Sequence, residues 1–248
     1  MSRQVRVAVF RPDDERIGDA VELLSSLGAD PVPDPMLAVE ATGRTPEDAP
    51  YVILTSKTGV ELAAERGWKP APETTLAAIG PATAEAAREV GWEVDLVPKE
   101  YTSAGLVEAL EGHIEGVRVE VARSDHGSDV LTDGLRAAGG DVHETVLYRL
   151  VRPESAGHST ERAAEGELEA AAFTSSLTVE HFLEAAAERG IEEAARKGLS
   201  SAVVGAIGDP TRETAESHGI TVDVVPGEAT FESLATAVVE RAAPSYHE

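Results

Sequence analysis

No cysteine occurs anywhere in the 248 residues, which excludes disulfides, thiolate metal sites and cysteine nucleophiles together. Lysine is nearly absent too: Lys57, Lys69, Lys99 and Lys197 are the whole supply. Lys plus Arg number 21 against 45 Asp plus Glu, for a net charge of −24. That balance opposes nucleic acid or an anionic membrane as partner, because neutralising phosphates takes clustered cations. Long apolar runs are missing as well. Nothing approaches the roughly 18 apolar residues of a membrane span, and the opening MSRQVRVAVFRPDDE turns to charge before reaching signal-peptide length, so a cytoplasmic protein is expected. Strong acidity can signal disorder, but 42% hydrophobic residues in periodic arrangement argue for a folded chain. A folded acidic surface fits a salty cytosol, where about 1 M salt shortens the Debye length to about 3 Å and mutes self-repulsion.

Several signatures of chemistry are absent. The histidines (His113, His126, His143, His158, His181, His218 and His247) show neither HExxH spacing nor a carboxylate cluster, so no metal is expected. There is no GxGxxG after the first strand and no GxxxxGK[ST], which argues against a dinucleotide or P-loop site. The GxSxG elbow of many hydrolases is missing too. Asp13-Asp14 after the first strand reads as a solvated loop rather than a magnesium pocket; the matching Asp125 has His126 beside it.

What is present is an alternation of short β-branched runs with amphipathic helical stretches, the pattern of parallel strands joined by crossover helices. Strands are expected at Val5 to Phe10, Tyr51 to Leu54, Leu76 to Ile79, Val94 to Val97, Val117 to Ala122, Val142 to Leu147, Ala171 to Phe173, Ala202 to Ala206 and Thr221 to Val225. Ile17, Val21, Leu24 and Leu27 share a helical face that stops at Gly28. The chain also repeats itself. LAAIGPATAEAAREVGWEVDLVPKEYTSAGLVEAL from Leu76 aligns without a gap on VGAIGDPTRETAESHGITVDVVPGEATFESLATAV from Val204; TSKTGVE from Thr55 echoes TSSLTVE from Thr174, and RVAVFRPD from Arg6 echoes RVEVARSD from Arg118. Two domains of related α/β fold follow. A simple tandem would divide near Gly116, the polar stretch from Arg152 is another joint, and an exchange of strands between halves is equally compatible.

In open parallel sheets ligands bind beyond the carboxyl ends of the strands, at helix N-termini with free amides and partial positive charge. The Thr/Ser turns fall there: Thr55-Ser56, with Thr58 to Glu61 as a possible capping box, Thr83, Thr102-Ser103, Thr174-Ser175-Ser176 and Thr211. Each can be read as a helix cap alone. These turns, matched between two halves and several holding two or three hydroxyls, point instead to an anion held in the cleft between domains.

These residues resemble the uroporphyrinogen-III synthase family over nearly the whole chain. The resemblance rests on Arg11-Pro12 after the first strand, the TSxxxVE turns, AIGPATAEA from Ala78 with AIGDPTRETA from Ala206, YTSAGLVEAL from Tyr101 and TVLYRL from Thr145. Acidity and scarce lysine make the chain similar to haloarchaeal members. The resemblance implies two flavodoxin-like parallel-sheet domains joined by a two-stranded linker: residues 1–34 with 152–248, residues 41–146 inserted, and connecting strands at 35–40 and 147–151. It implies a monomeric, cofactor-free lyase that takes hydroxymethylbilane, a linear tetrapyrrole with eight carboxylates, removes its terminal hydroxyl, inverts the last pyrrole ring and closes the macrocycle. Substrate contacts would come from Arg11, Thr55, Ser56, Thr83, Thr102, Ser103, Arg123, Thr174, Ser175 and Thr211. Tyr148 would donate to the leaving hydroxyl, a phenol being protonated at neutral pH. Against these stand plain alternatives: Arg11 and Arg123 pairing with local acids, and Tyr148 packing at the hinge. The turn Arg123-Ser-Asp-His-Gly127-Ser-Asp129 also departs from the family, many of whose members place a second Arg where Asp129 stands. A non-catalytic two-domain protein closing on a small anion, or a regulatory tetrapyrrole-binding module, would need the same helix starts without Tyr148.

Overall fold

A computed structural model describes residues 4–243; His247 lies outside them. The chain forms two compact units, residues 1–38 with 151–248 and residues 39–150. It runs through β1 (Arg6–Phe10), α1 (Glu15–Ser26), β2 (Asp30–Pro33) and β3 (Ala38–Ala41). The inner segment adds β4 (Tyr51–Leu54), α2 (Lys57–Glu65), β5 (Thr75–Ala78), α3 (Pro81–Glu89), α4 (Ser103–Leu110), β6 (Arg118–Ser124), α5 (Asp129–Ala137) and β7 (Asp141–Val151). The returning chain supplies α6 (His158–Ala164), β8 (Ala170–Phe173), α7 (Ser176–Glu188), α8 (Glu192–Leu199), β9 (Val203–Ala206), α9 (Asp209–Ser217) and α10 (Phe231–Ala242).

The first unit holds a four-stranded sheet of order β2-β1-β8-β9, every pairing parallel. Its strands are apolar at consecutive positions because both faces are covered. Ala8 and Phe10 join one core with Phe173 and Phe182, while Val7 and Val9 join another with Leu234 and Val238. The Phe10 and Phe173 rings stack at 4.6 Å and Phe182 meets both edge-on, filling one face with three fully buried aromatics. The second unit has a five-stranded sheet of order β3-β7-β6-β4-β5, parallel at β7-β6, β6-β4 and β4-β5. Its cores again lie on both faces, one around Leu54, Val60, Trp92 and Leu147, the other around Ile53, Leu106, Val121 and Leu135.

Two expected strands are not formed. Val94 to Val97 and Thr221 to Val225 each make one bridge, Ala77 with Leu96 and Gly205 with Val224. In both copies an aspartate side chain takes the donor that a ladder would use: Leu76 N donates to Asp95 Oδ2 at 2.8 Å and Val204 N to Asp223 Oδ2 at 2.9 Å. Pro98 and Pro226 follow closely and cannot donate to a longer ladder. Conversely, β2 is not among the expected strands and contains Pro31 and Pro33; it forms because it is an edge strand, where a missing N–H costs little. The capping box expected from Thr58 to Glu61 is also corrected. Ser56 is the N-cap of α2, accepting Gly59 N at 3.0 Å, so Thr58 already lies inside the helix and Glu61 pairs with Lys57 at 3.6 Å.

Among the described residues no helix is long and apolar enough to cross a membrane, and no group of three or more His, Asp or Glu is placed to hold a metal ion.

Candidate active site

The carboxyl ends of the strands carry the candidate turns, and their hydroxyls divide by task. Ser56, Thr102 and Ser175 are N-caps of α2, α4 and α7, each accepting a backbone N–H at 3.0 to 3.3 Å. The α7 cap is a full box, since Thr178 Oγ1 accepts Ser175 N in return. Thr174 Oγ1 donates to the Phe10 carbonyl at 2.7 Å, tying the end of β8 to that of β1. Thr83 and Thr211 do not cap. They are buried at the third positions of α3 and α9, whose N-caps are Gly80 and Gly208 without side-chain cap bonds. Those two helices therefore begin with amides that no side chain satisfies, the usual preparation for an anion.

Five of the expected residues meet in the second unit. Thr55, Ser56, Ser103, Arg123 and Tyr148 line one cavity of about 280 Å³, with Ile79 and Leu131 as apolar wall. Sequence placed each of them at a strand end or helix start; the sheet order brings β4, β6 and β7 side by side. Tyr148 is nearly buried, its ring packed with Leu54 and Leu147 and its hydroxyl donating to Ser56 Oγ at 3.0 Å. Ser56 Oγ thus accepts from both Gly59 N and Tyr148, which leaves its own proton free to donate.

The two arginines at equivalent strand ends differ. Arg123 is 7% exposed and engaged: Nε donates to Glu144 Oε2 at 2.9 Å and Nη1 to the Ser128 carbonyl at 2.7 Å. Asp129, at the start of α5, stands 3.6 Å away. Arg11 pairs with no carboxylate among the described residues. Its guanidinium lies over the Phe231 ring, 4.8 Å from the centroid, and burial, with the Arg16 charge adding, lowers its pKa from the ordinary arginine value. Asp14 and Asp19 act on it only at a distance.

The turn after β6 departs from the family at Asp129, yet Ser124, His126, Gly127 and Ser128 line the same cavity. The signal for it was the Asp125-His126 dipeptide at a strand end. A separate hollow of about 310 Å³ in the first unit is lined by Glu180, Glu184 and Glu192, with Arg196 paired to Glu192; three carboxylates make it the wrong lining for a polyanion.

A family model described as uroporphyrinogen-III synthase HemD matches residues 18–236. The chain belongs to the uroporphyrinogen-III synthase family. Members of this family are cyclising lyases of tetrapyrrole biosynthesis that act on a small-molecule tetrapyrrole. A protein of Methanothermobacter thermautotrophicus provisionally named uroporphyrinogen-III synthase is 35% identical, covering 94% of this chain and 96% of its own. The uroporphyrinogen-III synthase of Synechococcus elongatus is 28% identical, over 77% of this chain and 75% of its own. Among solved structures, a mutant uroporphyrinogen III synthase of Thermus thermophilus superposes with a TM-score of 0.67 at 22% identity, covering 96% of this chain and 98% of that one. The Helicobacter pylori synthetase gives 0.63 at 14% identity, over 96% and 100%. These two likenesses establish the shared two-domain α/β fold of the uroporphyrinogen-III synthases.

Proposed function

We propose that this chain is the uroporphyrinogen-III synthase that cyclises hydroxymethylbilane with loss of water and inversion of the terminal pyrrole ring. The observation that carries this reading is the convergence of Thr55, Ser56, Ser103, Arg123 and Tyr148 on one cavity at the carboxyl ends of β4 and β6, beside β7. The walls offer hydroxyls and helix starts rather than lysines. That suits a polyanionic ligand in a protein that is itself strongly acidic, because amide donors attract carboxylates without adding a flexible charge. The open N-terminus of α3, with Thr83, extends the donor set, and Ser103 at the start of α4 and its cap Thr102 complete it. In the first unit, Arg11, Thr174, Ser175 and Thr211 at the open start of α9 offer donors of the same kind at its own strand ends.

Tyr148 and Ser56 act as a donor pair. The phenol fixes the serine hydroxyl, whose remaining proton is directed to the oxygen that departs from the substrate. Loss of water and ring closure are redox-neutral, so the chemistry calls for no cofactor. Selection of the type III isomer is a matter of holding the chain so that the inverted ring meets the far end, a positioning effect. The reading extends to a cytoplasmic monomer from a high-salt habitat, with residues 1–34 and 152–248 acting as one domain of flavodoxin-like strand order and residues 41–146 as the other.

The test is direct: purified protein in concentrated potassium chloride is given hydroxymethylbilane and the uroporphyrinogen isomers are separated. Type III product is expected. Type I alone, at the rate seen without protein, refutes the assignment and leaves the non-catalytic anion-binding reading.

A further inference from the structure

The turn joining β6 to α5 is built to hold a histidine. His126 Nδ1 lies 2.8 Å from Asp125 Oδ1, and the same oxygen accepts Leu150 N at 3.0 Å. Asp125 N donates in turn to the Tyr148 carbonyl at 3.2 Å. The aspartate is thus pinned to β7 by backbone and side chain, and the imidazole is pinned to the aspartate. From below, Arg123 braces the turn through the Ser128 carbonyl and Glu144. Gly127 passes so close over that side chain that an added Cβ would collide with the Arg123 Cδ, so the loop is packed rather than loose.

His126 nevertheless keeps 46% of its side chain exposed, and it borders the cavity that holds Ser56 and Tyr148. Burial opposes ionisation of Asp125, but the hydrogen bonds from His126 and the Leu150 amide outweigh it and hold its pKa below the usual carboxylate value. An ionised partner requires a proton on Nδ1, which leaves Nε2 to carry the exchangeable one.

We propose that His126, oriented by Asp125, is the acid that delivers the proton to the hydroxyl leaving the substrate. This rests on the reading of the cavity as the synthase site. In the step, the C–O bond of the hydroxymethyl group breaks as the Nε2 proton moves to its oxygen. Water departs with that proton, the imidazole becomes neutral, and the positive charge passes to the methylene carbon conjugated with its pyrrole. A pyrrole carbon attacks that methylene, and the proton lost when that pyrrole ring regains aromaticity restores the imidazolium. Ser56, fixed by Tyr148, hydrogen-bonds the oxygen; His126 supplies the proton. Charged and titratable groups around the turn are Arg123 and Asp125, Asp129 from α5, and Glu144 and Tyr148 from β7.

The test uses the full chain with hydroxymethylbilane, comparing wild type, His126→Gln, His126→Ala and Asp125→Asn, with kcat and KM measured from pH 5.5 to 8.5 and isomers resolved. His126→Gln should lower kcat at least about tenfold with KM within about twofold, and the shape of the kcat profile against pH should change. Added imidazole should restore part of the rate to His126→Ala and none to wild type. Asp125→Asn should fall between. A His126→Gln enzyme with wild-type kcat and an unchanged pH profile overturns the proposal, as does a loss that appears mainly in KM and is insensitive to imidazole. Absence of type III product with the wild-type protein overturns the synthase reading beneath it, whereas normal turnover in His126→Gln removes only the acid.

Discussion

Replacing Asp34 by alanine should destabilise the first unit by about 3–5 kcal/mol, without touching the proposed chemistry. Asp34 is fully buried and closes the fold across a long stretch of sequence. Its carboxylate accepts Gly157 N at 2.8 Å, Ser159 N at 2.9 Å and the Ser159 hydroxyl, and His158 Nδ1 stands 3.2 Å away. Alanine leaves two buried amides at the start of α6 without acceptors, at about 1–3 kcal/mol each, and removes a charge-assisted hydroxyl contact. That is a large part of the roughly 5–15 kcal/mol that holds a domain together. Burial opposes ionisation of Asp34, but the bonds from His158, Ser159 and Gly157 outweigh it, so its pKa lies below the ordinary value; the hydrogen bond to Asp34 raises that of His158 against its own partial burial. The Asp34 contribution is therefore complete above its unfolded pKa of about 3.9 and is lost as pH falls through the lower folded value. The His158 contribution is complete below about pH 6.5 and is lost as pH rises through its raised folded pKa. Urea unfolding followed by far-UV circular dichroism at about pH 2.5, 5.5 and 8 measures both. Trp68 and Trp92 both belong to the second unit, so tryptophan fluorescence is the internal control. A loss below about 1 kcal/mol, or one larger by fluorescence than by dichroism, refutes the reasoning.

Tyr148→Phe removes the donor to Ser56 and should slow formation of the type III isomer at least about tenfold; a wild-type rate in the isomer assay would reduce Tyr148 to a packing residue. Gly198→Ala places a Cβ against the Ala163 carbonyl where α6 meets α8, so thermal unfolding should show a cost of at least about 1–3 kcal/mol, while Gly18→Ala, with open space around it, should cost nothing of that kind. Raising potassium chloride from about 0.1 M to about 1 M shortens the Debye length from about 10 Å to about 3 Å, so the melting temperature should climb steeply for a chain of net charge −24. A flat salt response would mean that self-repulsion does not govern this protein's stability.

Much of this protein was legible in one dimension because its determinants are local. A strand buried on both faces must be apolar at successive positions, as Val7 to Phe10 and Ala170 to Phe173 are, and a helix start must offer a hydroxyl or a glycine, as Ser56, Thr102, Ser175 and Gly80 do. Duplication added a second, independent copy of the same pattern. These features put the candidate turns at strand ends and helix starts. Two strands went wrong for a local reason with a non-local cause: Val94 to Val97 has strand composition, yet the Asp95 side chain captures the Leu76 amide that a ladder would have used.

Tertiary structure alone decided which hydroxyls share a cavity and which charges are free. Arg11 and Arg123 occupy matching positions in the repeat, but Arg123 is consumed by Glu144, 21 positions later in the chain, whereas Arg11 rests on Phe231 from the far end of the sequence. Asp125 and His126 look like solvent-facing polar residues until Leu150 N and the Tyr148 carbonyl fix the turn against β7. The difference is physical. Secondary structure answers to spacing along the chain, while the availability of a charge or a proton depends on partners that only folding brings within about 3 Å.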